Sequence, residues 1–418
     1  MLEYDPLSTR WRDDPYPAYA RLREEAPVHY SPESDTYSVA RYDDVMHVLR
    51  TPEVFSSRAM FTMLMNRGQD GPPPLTLGSI GFILRFLART RTNPLRIINT
   101  RNLIAEDGAP HTAMRSIVNR GFSPRRIAAW EPRVRELVEE CMAPVKREGR
   151  FDLMRDLAVP LPVTIIAEML GIEPERRADF KHWSDTLIEA ISGEQRGDLF
   201  EPKFRDAILG LDGYVAKIIR QRRKRPQDDL ISVIAAPQEG GSLPTLEAMM
   251  FVTLLLVAGN ETTTNLIGNT ARALLDHPDQ LESVASDPSL VPALVEEGLR
   301  FDAPIQLLFR TATRETELAG TRIPEGATVV PLLGSANRDE SRFPSAGTLD
   351  VRRETQGHVG FGFGHHFCLG ASLARLEATV TLEALVPELT RLERTGELKM
   401  ADSFIVRGVR EFGLSRAA

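Results

Sequence analysis

The chain has 418 residues, of which 42% are hydrophobic and 26% are charged, a composition typical of a globular protein with a large apolar core. Its net charge of -7 at pH 7 disfavours binding along a nucleic-acid backbone, so we expect no nucleic-acid partner. The two cysteines, Cys141 and Cys368, lie far apart and form neither a disulfide framework nor a metal-binding spacing. So few cysteines suit a reducing compartment.

The sequence gives no sign of export or of a membrane span. The N-terminal segment Met1–Glu25 is polar and contains acids, unlike a signal peptide. The longest apolar run, Met249–Gly259, is too short to cross a bilayer. We therefore expect a cytoplasmic protein with no integral membrane segment. No linker-like stretch interrupts the chain, so we expect a single domain over residues 1–418.

The first elements in chain order are short. Periodicity predicts a helix over Tyr16–Glu25, a hairpin over Val28–Ala40 that turns at Pro32–Asp35, and a helix over Asp43–Leu49.

The segment Phe55–Asp107 follows and has weak periodicity, which is typical of lids, binding loops or disorder. Within it, Leu77–Arg91 alternates apolar and basic residues. We favour a lid there, and contact with a membrane or a carrier is the alternative.

The middle of the chain is helical, with apolar residues at three- and four-residue spacing. The predicted helices are Arg133–Lys146, Val163–Leu170, Arg176–Ser192, Phe204–Lys224, Thr245–Leu275 and Leu290–Arg300. The helix over Thr245–Leu275 is long and mostly apolar, so we expect it to be buried through the centre of the fold.

The period then changes to that of strands. Thr311–Leu318 and Ala327–Leu333 read as strands joined through Pro324–Gly326, and Leu369–Leu392 reads as a helix. A short hairpin near Val406–Gly408 closes the chain. The fold class is therefore mainly α with a small β region: roughly 28–40, 305–333 and the C-terminal hairpin are β-rich, while roughly 108–300 and 369–392 are helical.

The segment Phe361–Gly370, with the sequence FGFGHHFCLG, is the strongest signal for chemistry. Gly362 and Gly364 allow the backbone to turn tightly and to approach a flat partner closely. His366 places a donor near Cys368. Gly370 introduces a helix, and the N-terminus of a helix favours a thiolate. A thiolate on haem iron favours cleavage of the O–O bond.

This segment resembles the haem-binding signature of the cytochromes P-450, and Leu373–Arg375 matches the usual continuation. The resemblance covers essentially the whole chain. It implies the cytochrome P-450 fold, with haem b (iron protoporphyrin IX) buried between a long central helix and the helix of the cysteine loop. It assigns Cys368 as the iron ligand and gives Phe361 a place in the cofactor site. Two departures are the length of Phe55–Asp107 and the sequence of Arg338–Pro344.

The motif Ala258–Thr263 lies in the middle of the long apolar helix. Polar residues are costly there, so they indicate function, although a polar interruption between two helices is the alternative. Ala258 and Gly259 remove side-chain bulk and leave room for a ligand on iron. A threonine hydroxyl can also bulge the helix locally. The motif resembles the oxygen-binding helix of the family, with Thr262 as the alcohol and Glu261 as the acid of a proton relay.

Glu297 and Arg300 are spaced by three residues and share one helix face, where a solvated pair is the ordinary interpretation. Placed before the cysteine loop, they resemble the Glu-x-x-Arg motif of the family. That motif pairs with an arginine from the segment before the haem signature. Arg353 is our choice for this arginine and Arg352 is the alternative, in a structural charge cluster that fixes the cysteine loop.

The two haem propionates need cationic partners. His111 and Arg115 are four residues apart and share one helical face. They match the His-x-x-x-Arg of the family, Arg310 matches a further propionate-binding position, and His366 completes the set.

The implied reaction is insertion of one oxygen atom from O2 into a C–H bond, with haem performing the oxidation. Positions that resemble substrate-facing ones are apolar, and they predict a small hydrophobic substrate of steroid, terpenoid, fatty acid or polyketide type. They are Leu254, Leu255, Ala258, Ile305, Leu307, Leu308, Ile405 and Val406.

No flavin or iron–sulfur domain is visible in the sequence, so the implied electron donor is a separate ferredoxin with its reductase, and we expect a monomer. The basic residues Arg115, Arg120, Arg125 and Arg126 match the docking region of the family; a solvated basic face is the alternative.

Two further hypotheses stay open. One is a peroxide-driven or non-hydroxylating haem–thiolate enzyme, against which Thr262 argues, because a proton relay is needed mainly to split O2. The other is a haem-binding sensor or carrier, against which the combination of the relay with Cys368 argues.

Overall fold

The computed structural model describes residues 3–60, 77–91, 100–192, 201–237, 240–401 and 403–416. Helices dominate these residues, and we number them α1 to α15 in chain order. They are α1 Tyr16–Glu25, α2 Tyr42–Arg50, α3 Leu77–Thr90, α4 Gly108–Asn119, α5 Pro124–Ala128, α6 Glu131–Glu148, α7 Pro160–Met169, α8 Arg177–Ser192, α9 Pro202–Lys224, α10 Leu230–Ala235, α11 Thr245–Asp276, α12 Pro278–Ser286, α13 Val291–Phe301, α14 Leu333–Ala336 and α15 Ala371–Leu389.

The strands form three small sheets. They are β1 Val28–Ser31, β2 Thr36–Val39, β3 Phe55–Ser56, β4 Arg150–Asp152, β5 Arg310–Ala312, β6 Thr316–Leu318, β7 Thr321–Ile323, β8 Thr328–Pro331, β9 Leu392–Met400 and β10 Val409–Arg416. The largest sheet has the order β1-β2-β8-β5-β3, the second β4-β10-β9, and the third contains β6 and β7. In the largest sheet, β2 and β8 are parallel with Thr36 opposite Thr328, so the N-terminal hairpin joins a strand from the last third of the chain.

The chain divides into two compact units. Unit 1 contains 1–59, 124–162 and 262–418, and unit 2 contains 60–123 and 163–261. Every strand named above lies in unit 1, while α3, α4, α8, α9 and α10 lie in unit 2. Helix α11 contributes residues to both units, because the boundary falls after Glu261. The single domain expected from the sequence stays a prediction.

The core of unit 1 lies where the largest sheet meets α2. Val45 of α2, Phe55 of β3 and Val329 of β8 have no exposed surface and belong to one cluster of buried residues. The burial follows from the apolar stripe of α2 and from the inward face of the strands.

A buried charge cluster ties the two ends of unit 1 together. Asp302 accepts hydrogen bonds from the Tyr16 hydroxyl at 2.5 Å and from Arg407 Nε at 2.7 Å, and it also pairs with Arg272. Burial alone would raise the pKa of Asp302, but the charges of Arg407 and Arg272 outweigh it and lower the pKa. The N-terminal helix, α11 and the C-terminal segment are therefore joined at one carboxylate.

The core of unit 2 is built around α9, which contacts α3, α8 and α10. Gly210 of α9 lies so close to Trp183 of α8 that a Cβ would come within 2.5 Å of the indole nitrogen. Asp229 caps α10 by accepting a hydrogen bond from the backbone of Ser232 at 2.7 Å, and it also pairs with Arg222. Close packing against Trp183 and the capped N-terminus of α10 therefore stabilise the position of α9 in unit 2.

The structure confirms most of the predicted elements. The helix Tyr16–Glu25 has the expected bounds, and the hairpin turns at Asp35, which has a positive φ of 49°. The C-terminal hairpin is longer than expected, with strands of nine and eight residues. The mainly α fold with a small β region is confirmed. Among the described residues, no helix is long and apolar enough to cross a membrane.

Two predictions about elements need correction. The prediction of a single strand over Thr311–Leu318 is wrong. The chain leaves β5 at Thr313, whose backbone N–H donates to the carbonyl of Val54, and it then enters a separate sheet as β6. The turn to β7 uses Ala319 and Gly320, both with positive φ. The irregular region Phe55–Asp107 contains the helix α3, and residues 61–76 and 92–99 of that region lie outside the described residues.

Candidate active site

The cysteine loop, Phe361–Gly370, is closed by its own backbone. The N–H of Cys368 donates to the carbonyl of Phe361 at 3.0 Å, and Gly364–His366 forms a turn of 3-10 helix between them. Helix α15 begins at Ala371 with Gly370 as its N-cap residue. Cys368 is half-buried, is not in a disulfide and lies just before this helix N-terminus. That position stabilises a negative charge on the sulfur.

Glycines allow the cysteine loop to lie directly on neighbouring backbones. Gly364 has φ of 70°, and a Cβ there would lie 2.9 Å from the carbonyl oxygen of Leu49 in α2. A Cβ on Gly360 would lie 2.8 Å from the carbonyl oxygen of Leu299 in α13. Any larger residue would therefore push the loop away from α2 or α13.

The Glu297 cluster comprises Glu297, Arg300 and Arg353. The side chains of Glu297 and Arg300 have no exposed surface, and Arg300 donates to both carboxylate oxygens at 2.7 Å. Arg353 Nε lies 3.3 Å from Glu297 Oε1, and the backbone N–H of Asp350 donates to the same oxygen at 2.9 Å. Arg352, the alternative from the sequence, uses its backbone N–H to bond Asp350.

The Glu297 cluster is connected to the cysteine loop through Asn337. Arg300 donates to the backbone carbonyl of Asn337 at 2.9 Å. The side-chain oxygen of Asn337 accepts a hydrogen bond from the N–H of Val359 at 2.7 Å, and Val359 in turn accepts from the N–H of Gly362 at 2.8 Å. The buried ion pair therefore fixes the backbone at the start of the loop.

A second charge network, which the sequence analysis missed, lies beside the first. Glu296 pairs with Arg375 of α15 at 2.5 Å and with His358 at 2.9 Å. Burial would raise the pKa of Glu296, but these hydrogen bonds outweigh it and lower the pKa to about 2. Arg375 stacks on the ring of Phe361 at 4.6 Å, and its pKa is raised by the bond to Glu296 and, less strongly, by Cys368. The adjacent acids Glu296 and Glu297 were the sequence feature that could have indicated this second network.

The motif Ala258–Thr263 lies within one continuous helix of 32 residues, α11. This contradicts the alternative that the motif interrupts two helices. Ala258 is exposed, and Glu261 and Thr262 are half-buried. Gly259 has a packing reason of its own in unit 2, because a Cβ there would lie 2.9 Å from Ile166 of α7.

The carboxyl of Glu377, also missed from the sequence, is bonded to the hydroxyl of Thr263. Glu377 lies on α15, is 1% exposed, and has its pKa raised by burial to about 8. Thr263, the residue after Thr262, therefore connects α11 with α15, the helix of the cysteine loop. The Glu377 carboxyl that makes this contact is mostly neutral at pH 7.

The four residues expected at the propionates are distributed over both units. In unit 2, His111 of α4 is 1% exposed, and Arg115 Nε donates to Asn119 at 3.0 Å. In unit 1, Arg310 opens β5 and is 4% exposed, and His366 is half-buried at the end of the 3-10 turn. Binding of the propionates by this set stays a prediction.

Several residues expected to face the substrate are brought together in unit 1. Ile305 and Val406 form an antiparallel bridge beside a backbone hydrogen bond to Ile405 of 2.9 Å. Leu307 and Ile405 are 1% and 4% exposed and therefore pack as core residues, whereas Ile305, Val406 and Leu308 are half-buried. In unit 2, the two leucines of the set are half-buried on α11; they are Leu254 and Leu255.

The donor groups of the site fit haem b. The described residues contain no group of three or more His, Cys, Asp or Glu side chains placed to hold a metal ion. Cys368 offers a single soft sulfur donor on a glycine-rich loop beside Arg375. One thiolate is what the iron of a porphyrin needs from the protein, since the macrocycle supplies four nitrogen ligands.

The chain is similar to known proteins along almost its whole length. A family model for cytochrome P450 matches residues 85–405. The Vitamin D(3) 25-hydroxylase of Pseudonocardia autotrophica is 36% identical over 416 residues, which cover 97% of this chain and 95% of that protein.

Two solved structures are also similar to this chain. Cytochrome P450 CYP109Q5 from Chondromyces apiculatus has a TM-score of 0.84 and 36% identity, covering 100% of this chain and 99% of that one. CYP109E1 from Bacillus megaterium in complex with testosterone has a TM-score of 0.81 and 32% identity, covering 97% of this chain and 100% of that one. The chain therefore belongs to the cytochrome P450 family, and it is an oxidoreductase of the monooxygenase type whose cofactor is haem b.

Proposed function

We propose that this cytochrome P450 inserts one oxygen atom from O2 into a C–H bond of a hydrophobic substrate of steroid size, with electrons from a ferredoxin and its reductase. The observation that carries the proposal is the cysteine loop held by the Glu297 cluster, with Cys368 placed before α15. In the overall reaction, O2, two electrons and two protons convert R–H to R–OH and water. Haem, when bound, supplies the binding of O2 and the oxidation of the C–H bond.

In this proposal the protein residues hold the sulfur and deliver protons. Cys368 would hold the iron through its thiolate, and the Glu297 cluster would keep the cysteine loop in place. With haem in place, Thr262 Oγ1 would donate the proton that cleavage of O2 requires, and the Glu261 carboxyl would replace the proton on Thr262. The half-buried positions of both side chains on α11 support this relay.

The binding of haem by polar groups is proposed for His111, Arg115, Arg310 and His366. Each carries N–H donors suited to carboxylates, and the burial of Arg310 supports a role inside the protein. Phe361 would pack against the macrocycle edge, and Ala258 would leave space above the iron.

The substrate is proposed to be an apolar molecule with several rings. Half-buried apolar side chains in each unit support an apolar substrate: Leu254 and Leu255 in unit 2, and Ile305, Leu308 and Val406 in unit 1. The relative named for vitamin D(3) and the solved structure with testosterone support the steroid type in this proposal.

The electron donor is proposed to dock on Arg125 and Arg126 of α5, of which Arg125 is exposed. Arg120 is better explained by a structural role, because its guanidinium donates to the carbonyls of Gly241 and Val233 at 2.8 and 3.2 Å.

We also propose a monomer in the cytoplasm, where so few cysteines remain reduced and a ferredoxin is available.

Turnover with two oxidant systems tests the proposal. The holoenzyme is incubated with a steroid panel and either ferredoxin, reductase and NADPH under air, or hydrogen peroxide alone, and products are identified by mass spectrometry with 18O2. We expect one labelled oxygen atom in the product of the ferredoxin system. Product formation with hydrogen peroxide but not with the ferredoxin system would favour the peroxide-driven alternative. Binding of a ligand without product in either reaction would favour a carrier.

A further inference from the structure

Helix α3 carries an apolar face that the protein leaves exposed. Ile80, Ile83 and Leu84 have 44%, 41% and 62% of their surface exposed. Their spacing of three and four residues places them on one side of the helix. Among the described residues, the other large hydrophobic side chains that are exposed, Tyr30 and Phe367, belong to unit 1. Single exposed apolar residues are ordinary, whereas three that adjoin on one helix mark an interaction surface.

The opposite side of α3 packs on α9 within unit 2. Phe82, Phe86 and Thr90 follow one another at intervals of four residues along this side. The two phenylalanines are half-buried, with ring centroids 6.4 Å apart, and Thr90 is 3% exposed. The carbonyl of Thr90 accepts a hydrogen bond from Arg220 of α9 at 3.2 Å. These contacts hold α3 on α9 with its apolar face turned outward.

Cationic side chains border the apolar face. Arg85 and Arg89 are exposed on α3, and Arg91 is exposed just after it. Residues 77–91 contain no Asp or Glu, in a chain whose net charge is -7. Arg91 also lies near Arg220: burial lowers the pKa of Arg220, and the like charge of Arg91 lowers it further. The surface of α3 is therefore positive, although the protein as a whole is negative.

The exposed positions of α3 contain aliphatic and cationic side chains only. They are Ile80, Ile83, Leu84, Arg85, Ala88 and Arg89. Protein partners are ordinarily bound through aromatic residues and about one hydrogen bond per 100–200 Å², and the aliphatic side chains here form no hydrogen bonds. A second copy that covered this face with its own would add like charges at close range. An anionic bilayer matches both components, since it takes up aliphatic side chains and its phosphates attract arginines.

We propose that α3 docks the protein on the surface of an anionic lipid bilayer. Ile80, Ile83 and Leu84 enter the boundary between headgroups and acyl chains. Arg85 and Arg89 lie beside the lipid phosphates. The helix has 14 residues, fewer than the about 20 needed to cross a bilayer, so it lies along the surface. The inference goes beyond the proposed function, because it holds whichever substrate is oxidised.

Sedimentation with vesicles tests the docking of the haem-containing protein. One set of vesicles contains phosphatidylcholine alone, and the other contains phosphatidylcholine and phosphatidylglycerol in equal amounts. We expect the unaltered protein to bind the anionic vesicles about 100-fold more tightly, because three exposed arginines contribute about fivefold each. Added salt should release the protein, since it screens charges at a surface.

Two double variants separate the apolar and the cationic contributions. Ile80→Asn with Leu84→Asn should weaken binding to anionic vesicles about 30-fold, because two exposed aliphatic side chains no longer enter the bilayer. Arg85→Gln with Arg89→Gln should weaken it about 25-fold and leave binding to neutral vesicles unchanged.

Matched changes outside α3 serve as controls. Tyr30→Asn removes an exposed large hydrophobic side chain and Arg410→Gln an exposed arginine, both in unit 1. Both controls should keep the affinity of the unaltered protein. The four side chains changed on α3 are exposed, so the double variants are expected to fold, and circular dichroism and the CO-bound spectrum verify this.

Three results would contradict the inference, and each leaves the proposed oxidation of a C–H bond standing. If the unaltered protein does not bind anionic vesicles, a protein partner must cover the face instead. If both double variants keep the affinity of the unaltered protein, lipid is bound elsewhere. If light scattering shows a dimer that Ile80→Asn with Leu84→Asn converts to a monomer, the face is covered by a second copy.

Discussion

The Glu297 cluster and the contact between Asp212 of α9 and Thr253 of α11, in which the Asp212 carboxyl accepts a hydrogen bond from the Thr253 hydroxyl, are two ways of burying a carboxyl in one protein. Glu297 has no exposed side-chain surface, and two arginines and a backbone N–H bond it. Asp212 is desolvated enough for its pKa to rise to about 7, yet it is bonded to a threonine and stays accessible.

The difference separates a carboxyl that is held as a charge from one that burial shifts towards its neutral form. A buried carboxylate that is fully paired has no capacity left for a ligand, and it fixes the backbone around it. A carboxyl held by one neutral partner is costly for folding and keeps hydrogen-bonding capacity. Substitutions in the Glu297 cluster and at Cys368, Glu377 and Thr262 test this distinction.

The largest effect is expected at Cys368, in the cysteine loop that the Glu297 cluster holds in place. Cys368→Ser should abolish the red-shifted Soret band of the reduced, CO-bound protein and abolish monooxygenase activity, because the thiolate donor is lost. Cys141→Ser, which changes the half-buried cysteine of α6, should leave both unchanged. A histidine-type spectrum in the unaltered protein would contradict the assignment of Cys368.

Removing the paired carboxylate should strongly destabilise the fold. Glu297→Ala leaves Arg300 buried without its carboxylate, so we expect the free energy of unfolding to fall by about 3–5 kcal/mol in urea titrations. Arg322→Ala breaks an exposed ion pair with Glu315 and should cause no measurable change. Equal effects of the two substitutions would show that the Glu297 cluster contributes no more than a surface pair.

Glu377 is a second test of a carboxyl bonded to threonine, here through stability against pH. Its folded-state pKa is raised to about 8 by burial, so the folded protein keeps a proton that the unfolded chain releases above its ordinary pKa. The contribution of Glu377 is complete below that ordinary pKa and is lost as pH rises towards 8.

Glu377→Gln, which keeps a partner for Thr263, should therefore flatten the decline of stability with pH. Between pH 4 and pH 8 we expect the variant to gain about 4 kcal/mol relative to the unaltered protein in urea titrations. Glu388→Gln on the same helix is the control and should keep the original slope. If Glu377→Gln leaves the slope unchanged, Glu377 does not hold its proton in the folded protein.

The smallest effect is expected at Thr262 of α11. Thr262→Ala should release more of the electrons as hydrogen peroxide and lower the yield of product per NADPH by about tenfold, because the proton donor is removed. Thr264→Val is the control, since the Thr264 hydroxyl donates to the carbonyl of Ala158 at 2.9 Å in a structural contact. Unchanged coupling in Thr262→Ala would place the relay at other residues.

Local signals in the sequence were enough for much of this protein. The helix Tyr16–Glu25, the hairpin that turns at Asp35 and the long helix α11 follow from periodicity and turn chemistry, which act between near neighbours. The cysteine loop and the Glu297–Arg300 pair are also local motifs, and they include the strongest statements about chemistry.

The contacts that the sequence did not reveal join distant segments. Glu296 meets Arg375, and Asp212 meets Thr253, only because helices pack in a particular order. The break of the predicted strand at Thr313 depends in the same way on its hydrogen bond to Val54. No spacing rule within one segment encodes such pairs, since packing between elements decides them.

The parallel pairing of β2 with β8 has a consequence for how the chain is made. Thr36 and Thr328 lie opposite each other, so β2 can complete its hydrogen bonds only after most of the chain has left the ribosome. Until then the N-terminal hairpin has an unpaired edge, which is a site for association with other chains.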